Sequence, residues 1–254
     1  MNILFTVSGR AGSKGVKNKN IRDFLGKPLV YYTLSAIDLF IKEYKEKENL
    51  QIHSCLNTDS PSLINLIQKQ SMVDMMVQER SEELAGDRVP KVWVTRDSLY
   101  AAEKEYNKTF DYVIDVDITS PLRTYEDIYN AFCKSRSNSK IDLTYSVTES
   151  RRNPYFNMVC QKENGYHTVL DGSGITTRQQ APVTYDMNAS IYVYKREYLV
   201  SDEKENKGYF EISIMQDTGI LDIDSEEDFE LMQIIAEHLF KKNKMLQRIR
   251  DNIC

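Results

Sequence analysis

The chain has 254 residues, 41% of them hydrophobic and 28% charged, with a formal net charge of −5. These are the proportions of a soluble globular protein with enough residues for one α/β domain and a substantial core. The acidic balance argues against a dedicated nucleic-acid binder, which presents a basic surface, and no stretch nears the roughly 20 apolar residues of a membrane span.

Residues 3–7 are a short apolar run closed by Ser8 and Gly9, which predicts a buried first strand and not a signal peptide. A loop rich in Gly, Lys and Asn covers 9–20. Residues 28–40 place Leu29, Tyr32, Leu34, Ile37 and Phe40 at helical spacing, and 42–47 read as the solvated end of that helix. A second strand is expected at 51–56. Ser60 then caps a helix with Pro61 at its first position. A third strand is expected at 73–77, and Pro90 stands near the start of a helix running to about Tyr106. A fourth strand at 112–116 leads into Asp115-Val116-Asp117. Thr124 and Asp127 have capping-box spacing before a helix to about Ser135, and 143–147 is a further strand.

From 151 to 185 turn residues, aromatics and arginines replace the regular rhythm. This segment reads as an excursion covering the site. Strand returns at 189–194, and Ser225 with Asp228 opens a last helix carrying Phe229, Met232, Ala236, Leu239 and Phe240 on one face. The alternation predicts an α/β fold, a mostly parallel twisted sheet with helices on both faces. Ligands then belong at the carboxyl ends of the strands, where the loops after Val7, Leu56 and Val116 fall. We expect one domain over 1–254 with the excursion at 151–187 inside it. Cys55, Cys133, Cys160 and Cys254 have neither zinc-site spacing nor a compact disulfide pattern, and free thiols point to a reducing, cytoplasmic setting.

The loop Gly9-Arg10-Ala11-Gly12-Ser13-Lys14-Gly15 follows the first strand directly. Glycines let backbone N–H groups approach phosphate oxygens closely, while Arg10, Lys14 and Lys19 supply charge where a pyrophosphate would leave. It is neither the Gly-Lys-Ser/Thr loop of nucleotide triphosphatases nor the three-glycine dinucleotide fingerprint. A loop of solvated lysines is the competing reading.

Arg10 to Gly15, followed by Lys19 and Asn20, resembles the signature of the acylneuraminate cytidylyltransferases, the CMP-sialic acid synthetases. That family usually has a glycine at Ala11 and Pro-Ala at Ser8-Gly9. Asn57-Thr58-Asp59 resembles its polar turn after the second strand. Arg80, with Leu84, Ala85 and Asp87, resembles a nucleotide-holding segment, and Thr119-Ser120-Pro121-Leu122-Arg123 resembles the motif after the fourth strand. Asp117 stands where the family has glutamine, so it can accept hydrogen bonds but not donate them when ionised. Arg151 to Asn157, Thr177 to Pro182 and Tyr185 to Tyr192 resemble the sugar-side region, and Arg151 to Asn157 combined with Asp115-Val116-Asp117 before Thr119 to Arg123 is most similar to the legionaminic acid branch.

The resemblance implies a Rossmann-like nucleotidyltransferase in which CMP passes from CTP to a nonulosonic acid. Gly9, Arg10, Ala11, Gly12, Ser13, Lys14, Lys19, Asn20, Arg80 and Asp87 are the expected nucleotide site. Asp117, Ser120, Arg123, Tyr155, Arg178, Gln179 and Asn188 are the expected sugar site. Asp222 and Asp224 are expected to hold magnesium, and Arg10, Lys14, Asp222 and Asp224 to carry catalysis. A homodimer through the excursion is implied too. Three rivals stand beside this reading: a nucleotide-sugar glycosyltransferase using Asp115 and Asp117 as its metal motif, a non-catalytic binding homologue, and 3-deoxy-manno-octulosonate as the sugar.

Overall fold

Period-two alternation in the first strand sets the architecture. In β1 (Asn2–Gly9) the side chains of Ile3, Phe5 and Val7 enter one apolar core, while Leu4 enters a second core on the opposite face. Both faces are therefore covered, and the strand is a near-continuous apolar run, as expected of a central parallel strand. The computed structural model describes residues 1–12, 15–86, 88–201, 207–220 and 222–253.

Along the chain follow α1 (Leu29–Tyr44), β2 (Gln51–Thr58), α2 (Pro61–Lys69), β3 (Met76–Glu79), α3 (Lys91–Tyr106), β4 (Tyr112–Val116), α4 (Tyr125–Arg136) and β5 (Leu143–Glu149). A hairpin, β6 (Val159–Lys162) and β7 (Gly165–Thr168), occupies the excursion. The chain closes with β8 (Tyr185–Lys195), β9 (Phe210–Ile214), α5 (Glu226–Lys242) and α6 (Lys244–Asp251). The main sheet has seven strands in the order β9-β5-β8-β4-β1-β2-β3. Only β8 runs against its neighbours, β4 and β5, and the other pairings are parallel. Helices α1, α2, α4, α5 and α6 cover one face and α3 the other. Among the described residues no helix is long and apolar enough to cross a membrane, and Cys55, Cys133 and Cys160 are free thiols; Cys254 lies outside the described residues.

Local signals behaved as their chemistry demands. Ser60 Oγ accepts from the Leu63 N–H, and Thr124 with Asp127 and Ser225 with Asp228 form reciprocal capping boxes. Three expectations shift. The third strand begins at Met76, not Val73, because the Gln70 side chain bonds the backbone of Met72 and Val73 and closes a turn there. The last helix is two helices: Asn243 Oδ1 accepts from Met245 and Leu246 N–H and starts α6 afresh. The edge strand β9 went unread, although Phe210, Ile212 and Ile214 alternate along it.

Candidate active site

The carboxyl ends of β1, β3 and β4 open into one cleft of about 420 Å³. Its walls include Gly9, Arg10, Gly15, Lys19, Asn20, Arg80, Lys91, Asp117, Thr119 and Asp224. Ala11 and Gly12 line a small groove beside it with Arg10, Lys19 and Asn20. The loop after β1 is anchored at two points and turned at Gly12. The Ala11 N–H donates to Asp59 Oδ1 at 2.7 Å, Asn20 Nδ2 donates to the Arg10 carbonyl at 3.4 Å, and Gly12 has a left-handed φ of 72°. Ser13, Lys14 and Asp87 lie outside the described residues.

Gly15 has a steric requirement of its own. A Cβ built there would sit 1.8 Å from the backbone oxygen of Asp224, so the loop and the Asp222–Asp224 segment pack backbone to backbone. Gly15→Ala is expected to push these segments apart and cut kcat/KM at least tenfold, with the midpoint of thermal unfolding moving by only a few degrees. Steady-state kinetics beside a melting curve check this, and unchanged kinetics would show that the two segments need not touch.

The acidic segment is irregular, lying just before α5 outside any strand. It hangs on the loop after β4 through the Ile223 N–H, which donates to the Thr119 carbonyl at 2.9 Å. Ile223 is buried, and Lys19 Nζ donates to its carbonyl and to Asp224 Oδ1, the latter at 3.3 Å. Alternation about the buried Ile223 still puts Asp222 and Asp224 together. Burial, then the charges of Asp224 and Asp117, raise the Asp222 carboxyl to about 6, with Lys19 opposing. Two hard oxygen donors under like-charge strain fit a divalent cation. Among the described residues no group of three or more His, Cys, Asp or Glu side chains could hold one.

Arg80 is anchored, not loose on the surface. Its Nε and Nη2 donate to Asn57 Oδ1 and the Asn57 carbonyl, both at 2.9 Å, and Asn57 Nδ2 donates to Asp97 Oδ2 at 2.8 Å. Lys91, unread in the sequence, sits at the first position of α3 with its Nζ 2.6 Å from Asp115 Oδ2 and 2.7 Å from Asp117 Oδ2. Burial alone would raise the Asp117 carboxyl, but the Lys91 charge prevails and holds it at about 2. One signal could have exposed Lys91: a cation in the first turn opposes the helix dipole and so needs an acidic partner. An ammonium thus lies between Asp115 and Asp117, where the glycosyltransferase reading requires a metal.

Several expected sugar ligands stand elsewhere. Arg123 is fully buried and bonds to Thr33, Ser190 and the Asp117 carbonyl, so it braces the cleft floor from behind. Ser120 is buried. Asn188 is buried too, accepting from Ser146 Oγ at 2.6 Å. Tyr155, Arg178 and Gln179 lie on the excursion and do not line the cleft; Arg178 Nη2 donates to the Ser150 carbonyl at 3.2 Å.

The sequence pattern of the cytidylyltransferase family matches residues 4–246. A CMP-N,N'-diacetyllegionaminic acid synthase of Campylobacter jejuni is 36% identical over 236 residues, 92% of this chain and 94% of that protein. A post-translational flagellin modification protein B of Campylobacter coli is 34% identical over 238 residues, 92% of this chain and 95% of that protein. Among solved structures, a CMP:2-keto-3-deoxy-manno-octonic acid synthetase complexed with CTP shares the fold at a TM-score of 0.65, covering 94% of this chain and 99% of that one at 12% identity.

Proposed function

The chain belongs to the cytidylyltransferase family, and from that membership we propose that it transfers CMP from CTP to the anomeric hydroxyl of a nonulosonic acid, of the legionaminic type before the sialic. The observation that carries the reading is the meeting, in one cleft, of the Gly9–Arg10 loop, Arg80 and the acidic segment ending in Asp224. The similarity to a legionaminic acid synthase along nearly its whole length supports the choice of sugar.

In the reaction the anomeric oxygen bonds to the α-phosphorus, the bond from that phosphorus to the bridging oxygen breaks, and pyrophosphate leaves with the electron pair. Positioning and charge stabilisation do most of the work in such a step. Arg10, Ser13 and Lys14, with the backbone N–H groups of Gly9 and Gly12, hold the phosphates, and Ala11 fixes the loop through its N–H on Asp59. Arg80 and Asp87 hold the nucleotide. Lys19 keeps the acidic segment against the loop, and Asn20 keeps the loop against its own turn. Asp222, ionised above about pH 6, takes the proton from the attacking hydroxyl on a carboxylate oxygen. Asp222 and Asp224 would hold a magnesium ion, which when bound offsets triphosphate charge and acidifies a nearby hydroxyl. Asp117 faces the bound substrates from the cleft wall, and Tyr155, Arg178 and Gln179 stand on the excursion outside that wall.

The excursion exposes Phe156, Met158, Val159 and Tyr166, an apolar surface that suits a second copy of this chain, and light scattering of the purified protein at a dimer's mass would support that pairing. The free thiols suit a cytoplasmic setting. The deciding experiment is pyrophosphate release from CTP with a panel of nonulosonic acids and 3-deoxy-manno-octulosonate, magnesium present and then chelated. Release is expected with legionaminic acids first and is expected to stop on chelation. Release with the octulosonate alone would overturn the sugar assignment, and CTP binding with no release for any sugar would leave a non-catalytic homologue.

A further inference from the structure

Lys91 is costly where it stands. Pro90 gives α3 no side-chain cap, and a cation at the first position opposes the helix dipole. Burying an ion pair is often no more stabilising than an apolar replacement. Yet Lys91 meets two carboxylates at once, at 2.6 Å and 2.7 Å, and its ammonium lies 5.3 Å from the centre of the Tyr192 ring. Both acids are fixed independently: Thr6 Oγ1 donates to Asp115 Oδ1 at 2.8 Å, while the Thr119 N–H and hydroxyl each donate to Asp117 Oδ1 at 2.9 Å.

The trio is not sealed. Lys91 and Asp117 both line the cleft, whereas Asp115 is fully buried. An ammonium has three donors; one goes to Asp117 Oδ2, and Asp115 Oδ2 is met by charge at 2.6 Å without an aligned hydrogen bond. Asp117 Oδ1 is occupied by Thr119, but Oδ2 meets only Lys91 among the described residues and keeps accepting capacity. A donor and an acceptor therefore stand side by side on the cleft wall, the arrangement that reads a hydroxyl, which both gives and takes a hydrogen bond.

We propose that Lys91 is a specificity-determining residue of this cleft: its ammonium and the Asp117 carboxylate together read one hydroxyl group of a bound polyhydroxy ligand, and the ammonium shields that ligand's own negative charge from the acidic pair. This rests on the reading that the cleft takes CTP and a sugar acid. The hydroxyl belongs either to the ribose of the nucleotide or to the sugar acid.

The test measures KM for CTP and for the sugar acid separately in K91M, D117N and K91M/D117N, with 2'-deoxy-CTP as a further substrate. K91M is expected to raise one of the two KM values at least tenfold, with kcat within threefold. The double variant restores the trio's wild-type net charge and is expected to recover at least threefold of that loss. A raised KM for CTP, with lost preference over the 2'-deoxy nucleotide, assigns the hydroxyl to ribose; a raised KM for the sugar acid alone assigns it to the sugar. Both KM values within twofold of wild type, or a fall confined to kcat, overturns the inference. If K91M does not fold, D117N keeps the Lys91–Asp115 pair and is expected to raise the same KM at least threefold; no change in either KM overturns the inference. If the wild type turns over no sugar acid, the reaction reading fails by itself. The variants are then compared in CTP binding by calorimetry, where weakened binding in K91M that the double variant recovers supports the inference and unchanged affinity overturns it.

Discussion

Replacing Asp222 by asparagine is expected to lower kcat/KM for CTP at least a hundredfold, about 2.7 kcal/mol of transition-state stabilisation. Asp222 combines what a proton acceptor and a cation ligand need. It is partly withdrawn from water, stands beside Asp224 and Asp117, and titrates near 6. Asparagine keeps the shape and removes both the proton-accepting oxygen and the charge. The same group governs a stability effect of definite sign. A carboxyl whose folded pKa is raised holds its proton more tightly in the folded than in the unfolded chain. Its stabilising contribution is complete below about 4 and is lost as pH rises through about 6.

Without divalent cations, Asp222→Asn should therefore melt higher than wild type at pH 7.5 and close to it at pH 4. Magnesium should raise the wild-type melting temperature more at pH 7.5 than at pH 5, and should do little in the variant. Asp224→Asn should share the kinetic loss and also cost Lys19 its ion pair, leaving it the Ile223 carbonyl. Turnover within tenfold of wild type, with an unchanged response to magnesium, would remove Asp222 from the chemistry.

Arg123→Met is expected to cost about 3–5 kcal/mol of stability, the loss of several buried hydrogen bonds from a charged donor at about 1.5–3 kcal/mol each, offset in part by relief of the buried charge. That is a fall of roughly 6–20 °C in melting temperature for a chain of this size. Arg123 is fully buried. Its Nη1 donates to the Ser190 carbonyl at 2.7 Å and to Ser190 Oγ at 3.0 Å, and its Nη2 donates to Thr33 Oγ1 at 2.8 Å and to the Asp117 carbonyl. One guanidinium thus ties α1, the exit of β4 and the antiparallel β8 together. Burial lowers its pKa to about 10, still far above neutrality, so it stays charged. Methionine approximates the volume and removes all four bonds, leaving the Ser190 carbonyl only the Asp117 N–H and the Asp117 carbonyl only Thr33 Oγ1. An unchanged melting temperature with a raised KM for the sugar acid would instead return Arg123 to the substrate.

What could be read along the chain was chemistry that acts over short distances. The two apolar faces of β1, the cap at Ser60, the boxes at Thr124 and Ser225, and the glycine loop after the first strand each declare themselves within a few residues. Nucleotide-loop residues Gly9, Arg10, Lys19 and Asn20, together with Arg80, Asp117 and Asp224, do meet in one cleft. Parallel strands with helical crossovers deliver their carboxyl-end loops to the same side.

Long-range pairing is another matter. Nothing near residue 91 in the chain announces that Lys91 will meet carboxylates at 115 and 117, because that contact exists only once α3 packs across β1 and β2. Likewise Gly15 looked like one more phosphate-loop glycine, and only the folded chain puts the Asp224 carbonyl where its Cβ would be. Arg123 carries a motif that suggested a ligand contact, yet burial depends on which elements close over a side chain, here α1 and β8 from opposite ends of the chain. By itself the sequence determined the strand–helix alternation from β1 to β5, the caps and the family. Tertiary structure alone decided which charges face the cleft and which brace it, because electrostatic partnership depends on distance in space and on exclusion of water, and neither is written in residue spacing.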